Sequence, residues 1–122
     1  MRYAFTSLAF LAVCASITAL VWLPAAAAQE AQVVEITAER FSFNPSEIRV
    51  KAGTPLEIRL TSEDTMHGFH IVGTDIDLEL PKRGRGTTSV TFQPMAGRYT
   101  FECSKLCGAG HSFMRGVIIA TE

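Results

Sequence analysis

The chain has 122 residues, enough for one domain, and its 11 basic and 12 acidic side chains give a formal net charge of −1. Only Arg2 is charged before Glu30, so the chain beyond residue 28 has ten basic and twelve acidic residues and a net charge of −2. A balance so close to neutral gives no basis for binding nucleic acid or an anionic membrane surface.

Residues 1–28 have the composition of an export signal. Residues 4–23 are almost wholly apolar, and Ala25–Ala28 supply the small side chains that signal peptidase accepts. The pattern predicts cleavage just before Gln29 and a mature domain of residues 29–122 in the periplasm or another extracytoplasmic compartment. Residues 4–23 are also about long enough to cross a bilayer, so an uncleaved single membrane anchor is the alternative.

Beyond Gln32, apolar side chains recur at every second position, which is the period of a strand with one buried side. The clearest case is residues 56–60, where Leu, Ile and Leu alternate with Glu and Arg, whereas Val117–Ala120 is apolar on both faces. Turn-forming residues separate such segments at 44–45, 52–55, 82–86 and 94–97. Seven or eight short strands spaced this way predict an all-β fold, an antiparallel β-sandwich with Greek-key connections, and no helix in the mature domain.

One loop carries residues with metal-binding chemistry. Residues 103–114 read CSKLCGAGHSFM, so two cysteines, a histidine and a methionine have the spacing C-x3-C-x3-H-x2-M between two predicted strands. Thiolate, imidazole and thioether are soft ligands that favour copper, whereas zinc has little use for a thioether. Gly108 and Gly110 allow the loop to turn sharply. His67, at the start of an earlier strand, can face the loop from the end of the sandwich.

Each of these residues also has a simpler explanation. In an exported protein Cys103 and Cys107 form a disulfide by default, and a single loop histidine or methionine is more often a surface or core side chain. The combination of ligand types, their order and their place between two strands is what favours copper. His70 is a useful comparison, because it lies three residues past His67, on the opposite strand face, and is predicted to be structural.

The 103–114 loop resembles the Cu-A loop of subunit II of the haem-copper oxidases, where the pattern C-S-x-x-C-G-x-x-H-x-x-M is specific. Asp64–Phe69 is similar to the D-x-x-H-x-F segment that carries the first histidine in that family. Residues 41–45, 50–53 and 94–99 are similar to the general cupredoxin framework, so the resemblance covers about residues 33–120.

The resemblance implies a cupredoxin-like sandwich with two copper ions that transfers electrons, either as a free carrier or as the domain through which electrons enter a respiratory oxidase. Its partner would be a redox protein such as a c-type cytochrome or an oxidase core subunit. The cysteines would bridge both ions, while one ion takes a histidine and the methionine and the other takes a histidine and a backbone carbonyl. The implied ligands are Cys103, Cys107, His67 with Met114, and His111 with the carbonyl of Lys105. None of them would act as an acid, a base or a nucleophile, so the chain would have no catalytic residues of its own. Whether it is a component of an enzyme such as an oxidase stays open.

Some features depart from an oxidase subunit. Lys105 stands where the family often has a glutamate that reaches the partner subunit, and Trp22, the only tryptophan, lies in the predicted signal. No charged membrane hairpin precedes the domain, which favours a free or singly anchored cupredoxin. Three alternatives remain: a mononuclear blue-copper carrier with Cys103 spare, a periplasmic copper-binding or metal-delivery protein without redox turnover, and a metal-free sandwich with a Cys103–Cys107 disulfide.

Overall fold

The structure, a computed structural model, describes residues 26–122. The apolar run of the predicted export signal and Trp22 lie outside the described residues. The described chain forms strands and one short 3-10 turn, in this order: β1 (Gln32–Glu39), β2 (Ser42–Asn44), β3 (Glu47–Lys51), β4 (Leu56–Ser62), β5 (His67–Ile71), β6 (Asp77–Leu80), β7 (Thr88–Phe92), β8 (Gly97–Glu102), the 3-10 turn (His111–Phe113) and β9 (Arg115–Thr121). The predicted all-β fold is confirmed, with nine strands rather than seven or eight.

The strands form two sheets that share one hydrophobic core. One sheet has the order β2-β1-β4-β7, and the other has the order β3-β9-β8-β5-β6. The expected antiparallel pairing holds for five pairs of strands, but two pairings, β1 with β4 and β3 with β9, are parallel. The reason is connectivity: each parallel pair is joined through strands that cross to the other sheet, and such crossovers return the chain in its original direction.

Burial on the strands follows the period of two that the sequence predicts. Leu56, Ile58 and Leu60 on β4 are fully buried, whereas Arg59 between them is exposed. Three phenylalanine rings form the centre of the core, with centroids 5.1–5.8 Å apart, and they come from both sheets: Phe43, Phe69 and Phe101. Offset and edge-on contacts at these separations are the favoured geometry of aromatic pairs.

Strand register brings three chain segments to one end of the five-stranded sheet. Ile71 of β5 pairs with Phe101 of β8, so the start of β5 lies at the end of β8. Glu102 at the end of β8 pairs with Arg115 at the start of β9. The backbone N–H of Cys103 then donates to the carbonyl of Met114 at 3.1 Å, which extends that ladder into the loop. The start of β5 therefore lies beside both ends of the 103–114 loop.

Among residues 26–122, no helix has the length and apolar character needed to cross a membrane.

Candidate metal centre

All six residues predicted as ligands lie at this end of the sandwich. His67 is the first residue of β5, His111 begins the 3-10 turn, and Met114 directly precedes β9. His67 and Met114 are fully buried, the two cysteines are buried, and His111 is half-buried. Within the described part of the chain, the ligand atoms of three residues, His67, Cys103 and Cys107, lie within 4.8 Å of one another.

Each cysteine sulfur faces its own histidine. Cys103 Sγ lies 3.9 Å from His67 Nδ1, and Cys107 Sγ lies 3.6 Å from His111 Nδ1. The two Sγ atoms are 3.6 Å apart and both cysteines are free, so the structure does not contain the disulfide that composition alone would favour. A disulfide would bring the sulfurs to about 2.0 Å. The two thiols are instead unbonded neighbours.

The remaining two predicted donors also lie beside the cysteine sulfurs. Met114 Sδ lies 3.9 Å from Cys107 Sγ, and the Lys105 carbonyl oxygen lies 3.1 Å from Cys103 Sγ. Two thiols and two imidazoles alone would also suit zinc. The buried thioether makes the set softer, as copper prefers, so the donors present fit copper.

A carboxylate holds the buried histidine. Asp64 Oδ1 lies 2.7 Å from His67 Nε2 and also accepts a hydrogen bond from the backbone N–H of Thr65. Its other oxygen, Oδ2, accepts from the backbone N–H of Arg40 at 2.9 Å. Because a carboxylate can only accept, the contact between Asp64 Oδ1 and His67 assigns the imidazole proton to Nε2. The other ring nitrogen, Nδ1, faces Cys103 and is left free to bind a metal.

The same contacts lower the pKa of Asp64. Partial burial acts to raise it, but the hydrogen bonds from His67 and from the backbone N–H groups of Arg40 and Thr65 outweigh that effect and hold the pKa below its ordinary value. Asp64 is therefore an anion at neutral pH and a strong acceptor for His67.

Close packing fixes the loop against β5. The backbone N–H of Gly68 points to Cys103 Sγ at 3.5 Å. A Cβ atom at residue 68 would lie 2.7 Å and 2.8 Å from the backbone nitrogens of Lys105 and Ser104, closer than real contacts allow. Ser104 also donates a hydrogen bond to Asp77 of β6. The first half of the loop is thus held by strand contacts on two sides.

Phe41, in the turn between β1 and β2, supports the second half of the loop. Its ring lies against Gly108 and Gly110, where a Cβ atom would collide with it. Both glycines are therefore needed for close approach, and Gly108 has in addition a positive φ of 140°. The sequence predicts that these glycines allow a sharp turn. The structure adds a second reason for them, their packing against the Phe41 ring.

The environment of Cys107 favours the neutral thiol. Burial is the largest cause, the hydrogen bond and the charge of Cys103 act in the same direction, and the nearby Arg40 opposes them, so that the pKa of Cys107 rises to about 11. In the metal-free chain Cys107 is therefore protonated at neutral pH. A bound metal must displace that proton, because thiolates are the ligating form.

The fold and the donor set together define a class. The family model described as a cupredoxin-like domain matches residues 7–120. The chain belongs to the cupredoxin-like family, a family of copper proteins, and His67, Cys103 and Cys107 are its candidate metal site among the described residues.

Relatives place the chain within that family. It is 36% identical over 89 residues to cytochrome c oxidase subunit 2 of Thermus thermophilus, covering 73% of this chain and 65% of the relative. A second Thermus thermophilus subunit 2 is matched over 52% of its length, so the chain spans about half to two thirds of these two relatives. The resemblance to oxidase subunit II is confirmed.

Two solved structures share the fold. The periplasmic domain of subunit II of cytochrome oxidase from Bradyrhizobium japonicum matches with a TM-score of 0.65 and 18% identity, over 74% of this chain and 83% of that one. Auracyanin A, a blue copper protein from Chloroflexus aurantiacus, matches with a TM-score of 0.61 and 20% identity, over 75% and 100% of the two chains. The cupredoxin sandwich predicted from sequence is confirmed.

Sequence reasoning assigned no role to two residues that support the centre, Asp64, which it named only as part of the D-x-x-H-x-F segment, and Arg40. Asp64 carried a usable signal, because an acidic residue three positions before a proposed ligand histidine can reach its ring. Arg40 carried none, since its contact with Cys107 joins residues 67 positions apart. His70 was interpreted as structural, and its Nδ1 indeed lies 2.9 Å from the Ile76 carbonyl on the other face of β5.

Proposed function

We propose that the chain binds two copper ions in a Cu-A-type centre and transfers single electrons. The observation that carries the proposal is the pairing of donors: two free thiols 3.6 Å apart, each beside the Nδ1 atom of its own histidine. A mononuclear site needs one thiolate, and a second buried free thiol facing it would then have no role. Two bridging thiolates use the whole set.

The resemblance to oxidase subunit II implies one role for each donor. Cys103 and Cys107 would bridge the two ions, and His67 and His111 would each bind one. Met114 would be a weak ligand to the ion of His67, and the Lys105 carbonyl would be a weak ligand to the ion of His111. Weak donors of this kind would tune the potential rather than define the site.

The surrounding protein is suited to electron transfer. When bound, a two-copper centre supplies one reversible electron that both ions share. Strand hydrogen bonds, the Asp64–His67 contact and the close approach of Gly68 to the loop hold the donors in fixed positions, so that little rearrangement accompanies a change of charge. Burial of the cysteines and of Met114 keeps water away from the sulfurs.

His111 would connect the centre to the surface. It is half-buried, whereas the four other side-chain donors are buried. The loop that holds it exposes two large apolar side chains, Leu106 at 87% and Phe113 at 82% exposure. Exposed apolar groups around a half-buried ligand fit a transient redox partner, such as a c-type cytochrome or the core of an oxidase.

Oxidase membership and location belong to the same proposal. The relation to subunit II supports a place in a haem-copper oxidase, outside the cytoplasm. Lys105 does not extend freely toward a partner, because its Nζ lies 3.6 Å from Glu79 Oε2 on β6. A contact that depends on a glutamate at this position in other subunits would therefore differ here.

A mononuclear blue-copper carrier is the second candidate. It is favoured by one detail, the position of both His111 and Met114 within 3.9 Å of Cys107 Sγ. A metal-delivery role is less well supported, because exchange needs accessible donors and most of these are buried.

Reconstitution separates the candidates. The reduced protein is loaded with copper, the metal is counted, and visible and electron paramagnetic resonance spectra are recorded. Two ions per chain with one electron shared by two nuclei is the expected result. One ion with a blue thiolate band would instead establish the second candidate, and no uptake would remove both.

Two matched substitutions sharpen the test. Cys103→Ser should leave a site for one ion, since one bridge is lost. His67→Ala should lose copper, whereas His70→Ala, on the same strand but the opposite face, should keep two ions. Equal copper contents in the two histidine variants would contradict the ligand assignment.

A further inference from the structure

We propose that Arg40 is a positioning residue of the centre: it holds the Cys107 side of the loop and sets a positive charge there that raises the reduction potential. The inference rests on the proposed electron-transfer function and deepens it. It assigns a redox-tuning role to a residue that is not a ligand and lies in the turn between β1 and β2.

The guanidinium lies along the ligand loop. Arg40 Nε donates a hydrogen bond to the carbonyl oxygen of Cys107 at 2.9 Å. An ideal Cβ atom at Gly108 would lie 3.6 Å from the same Nε atom, so the side chain runs next to the backbone of residues 107–108. A charged donor to a carbonyl makes a stronger hydrogen bond than a neutral one. The contact fixes the backbone of one of the proposed bridging residues.

The backbone of Arg40 supports the opposite side of the centre. Its N–H donates to Asp64 Oδ2 at 2.9 Å, and Asp64 Oδ1 lies 2.7 Å from His67 Nε2. Phe41, the next residue, packs against Gly108 and Gly110. One turn therefore contacts the Cys107 loop through a side chain and the His67 support through a peptide group, and a change in side chain at residue 40 alters only the first contact.

The charge of Arg40 is not paired by a nearby acid. Within residues 26–122, the ion pairs formed by arginines involve Arg49, Arg59, Arg83 and Arg115, and none includes the Arg40 guanidinium. Asp64 is in contact with the backbone N–H of Arg40 and with His67 Nε2, and not with the guanidinium. The positive charge of Arg40 therefore acts on the loop without an acidic partner among the described residues.

A fixed cation near a redox site favours the reduced state. Loss of one electron makes the site one unit more positive, and Coulomb repulsion from Arg40 then disfavours the oxidised form. The residue is exposed, so added salt must screen part of this interaction. A contribution from hydrogen-bond geometry alone would not depend on salt in this way.

The test compares the reduction potentials of the copper-loaded wild type, Arg40→Gln, Arg40→Lys and Arg49→Gln. Arg49→Gln is the matched control, because it removes the same charge from β3, where the arginine is paired with Glu47. Voltammetry is run at low and at high ionic strength. Unfolding of each metal-free variant by urea is measured first, to confirm that the folded state is retained.

We expect Arg40→Gln to lower the potential, Arg40→Lys to give an intermediate value and Arg49→Gln to leave it unchanged. The difference between wild type and Arg40→Gln should shrink as salt is added. A potential for Arg40→Gln equal to or above that of Arg49→Gln, with two coppers bound in each, would overturn the inference. If Arg40→Gln does not hold two ions, Arg40→Met, which also removes the charge, takes its place. A potential for that variant equal to or above that of Arg49→Gln, with two coppers bound, has the same meaning.

Failure of the proposed electron-transfer function would be seen in the wild type itself. A wild type that binds fewer than two coppers, or that shows no reversible couple, would remove the electron-transfer proposal before any variant is compared.

Discussion

The two histidines of the centre occupy contrasting surroundings. His67 lies on a regular strand, is fully buried, and contacts a carboxylate through Nε2. His111 begins a three-residue 3-10 turn, is half-buried, and is followed two residues later by the exposed Phe113. Similar ligands are thus supported by different means. In the proposed copper centre, the contrast would make the His67 side the one that anchors the metal to the sandwich and the His111 side the one that faces a partner.

Replacement of each histidine by alanine should give the largest difference in stability between the two sides. His67→Ala should destabilise the metal-free protein by about 2–4 kcal/mol, since it leaves a buried cavity and a carboxylate without its partner. His111→Ala should cost less than about 1 kcal/mol, because the side chain is half-exposed and lies in a loop. Urea unfolding of both variants measures the difference. Equal losses would show that the two sides are anchored alike.

The anchoring carboxylate provides the next test. Asp64→Asn removes the charge that orients His67 but leaves the ligand itself in place. Loss of a partner to a ligand histidine costs about 10–100-fold in metal affinity, so copper binding should weaken by that factor in competition with a chelator. Asp77→Asn, which alters the contact to Ser104 in the loop instead, is the control and should change affinity less. An unchanged affinity in Asp64→Asn would mean that packing alone orients the ring.

Much of this centre could be predicted from sequence because four donors lie within twelve consecutive residues. Their spacing needs no knowledge of the fold, and the period of two in the strands places His67 on the inner face. The predicted strands on either side of these donors also mark the segment as a loop that joins two strands.

Contacts between distant segments could not be predicted. The Arg40–Cys107 hydrogen bond and the packing of Phe41 on Gly108 depend on how the β1–β2 turn meets the loop, and alternation within a strand carries no information about that meeting. The parallel pairing of β1 with β4 was missed for the same reason: periodicity specifies the face of a strand, not its neighbour. The 3-10 turn at His111 is too short to leave a periodic signal.

The raised pKa of Cys107 gives a pH test on the His111 side. The folded pKa is about 11, and that of an unfolded cysteine is about 8.5. The unfolded chain therefore loses this proton first, so the stabilising contribution is complete below about pH 8.5 and declines as pH rises toward 11. The slope should approach about 1.4 kcal/mol per pH unit.

The measurement is urea unfolding of the reduced, metal-free protein between pH 7.5 and about 10, with Cys107→Ser as the reference. Subtraction of the reference removes the contribution of groups that titrate in both proteins. The stability difference between the two proteins should change with pH in the direction given above. A difference that stays constant over the range would show that Cys107 ionises as readily in the folded state as in the unfolded chain.

The smallest effect on the protein itself is expected at the exposed side of the centre. Phe113→Ala should leave stability within about 0.5 kcal/mol of wild type, because the ring is 82% exposed. It should nevertheless slow electron transfer to a c-type cytochrome by about 3–10-fold, as loss of one apolar contact weakens the encounter complex by about 1 kcal/mol. Met95→Ala is the matched control: its side chain is 77% exposed, but it lies near the start of β8, at the opposite end of that strand from Cys103. Stopped-flow mixing with the reduced cytochrome measures the rates. If both variants react as fast as wild type, the apolar surface around His111 does not form the contact; if both are slowed alike, the contact is not confined to this end of the sandwich.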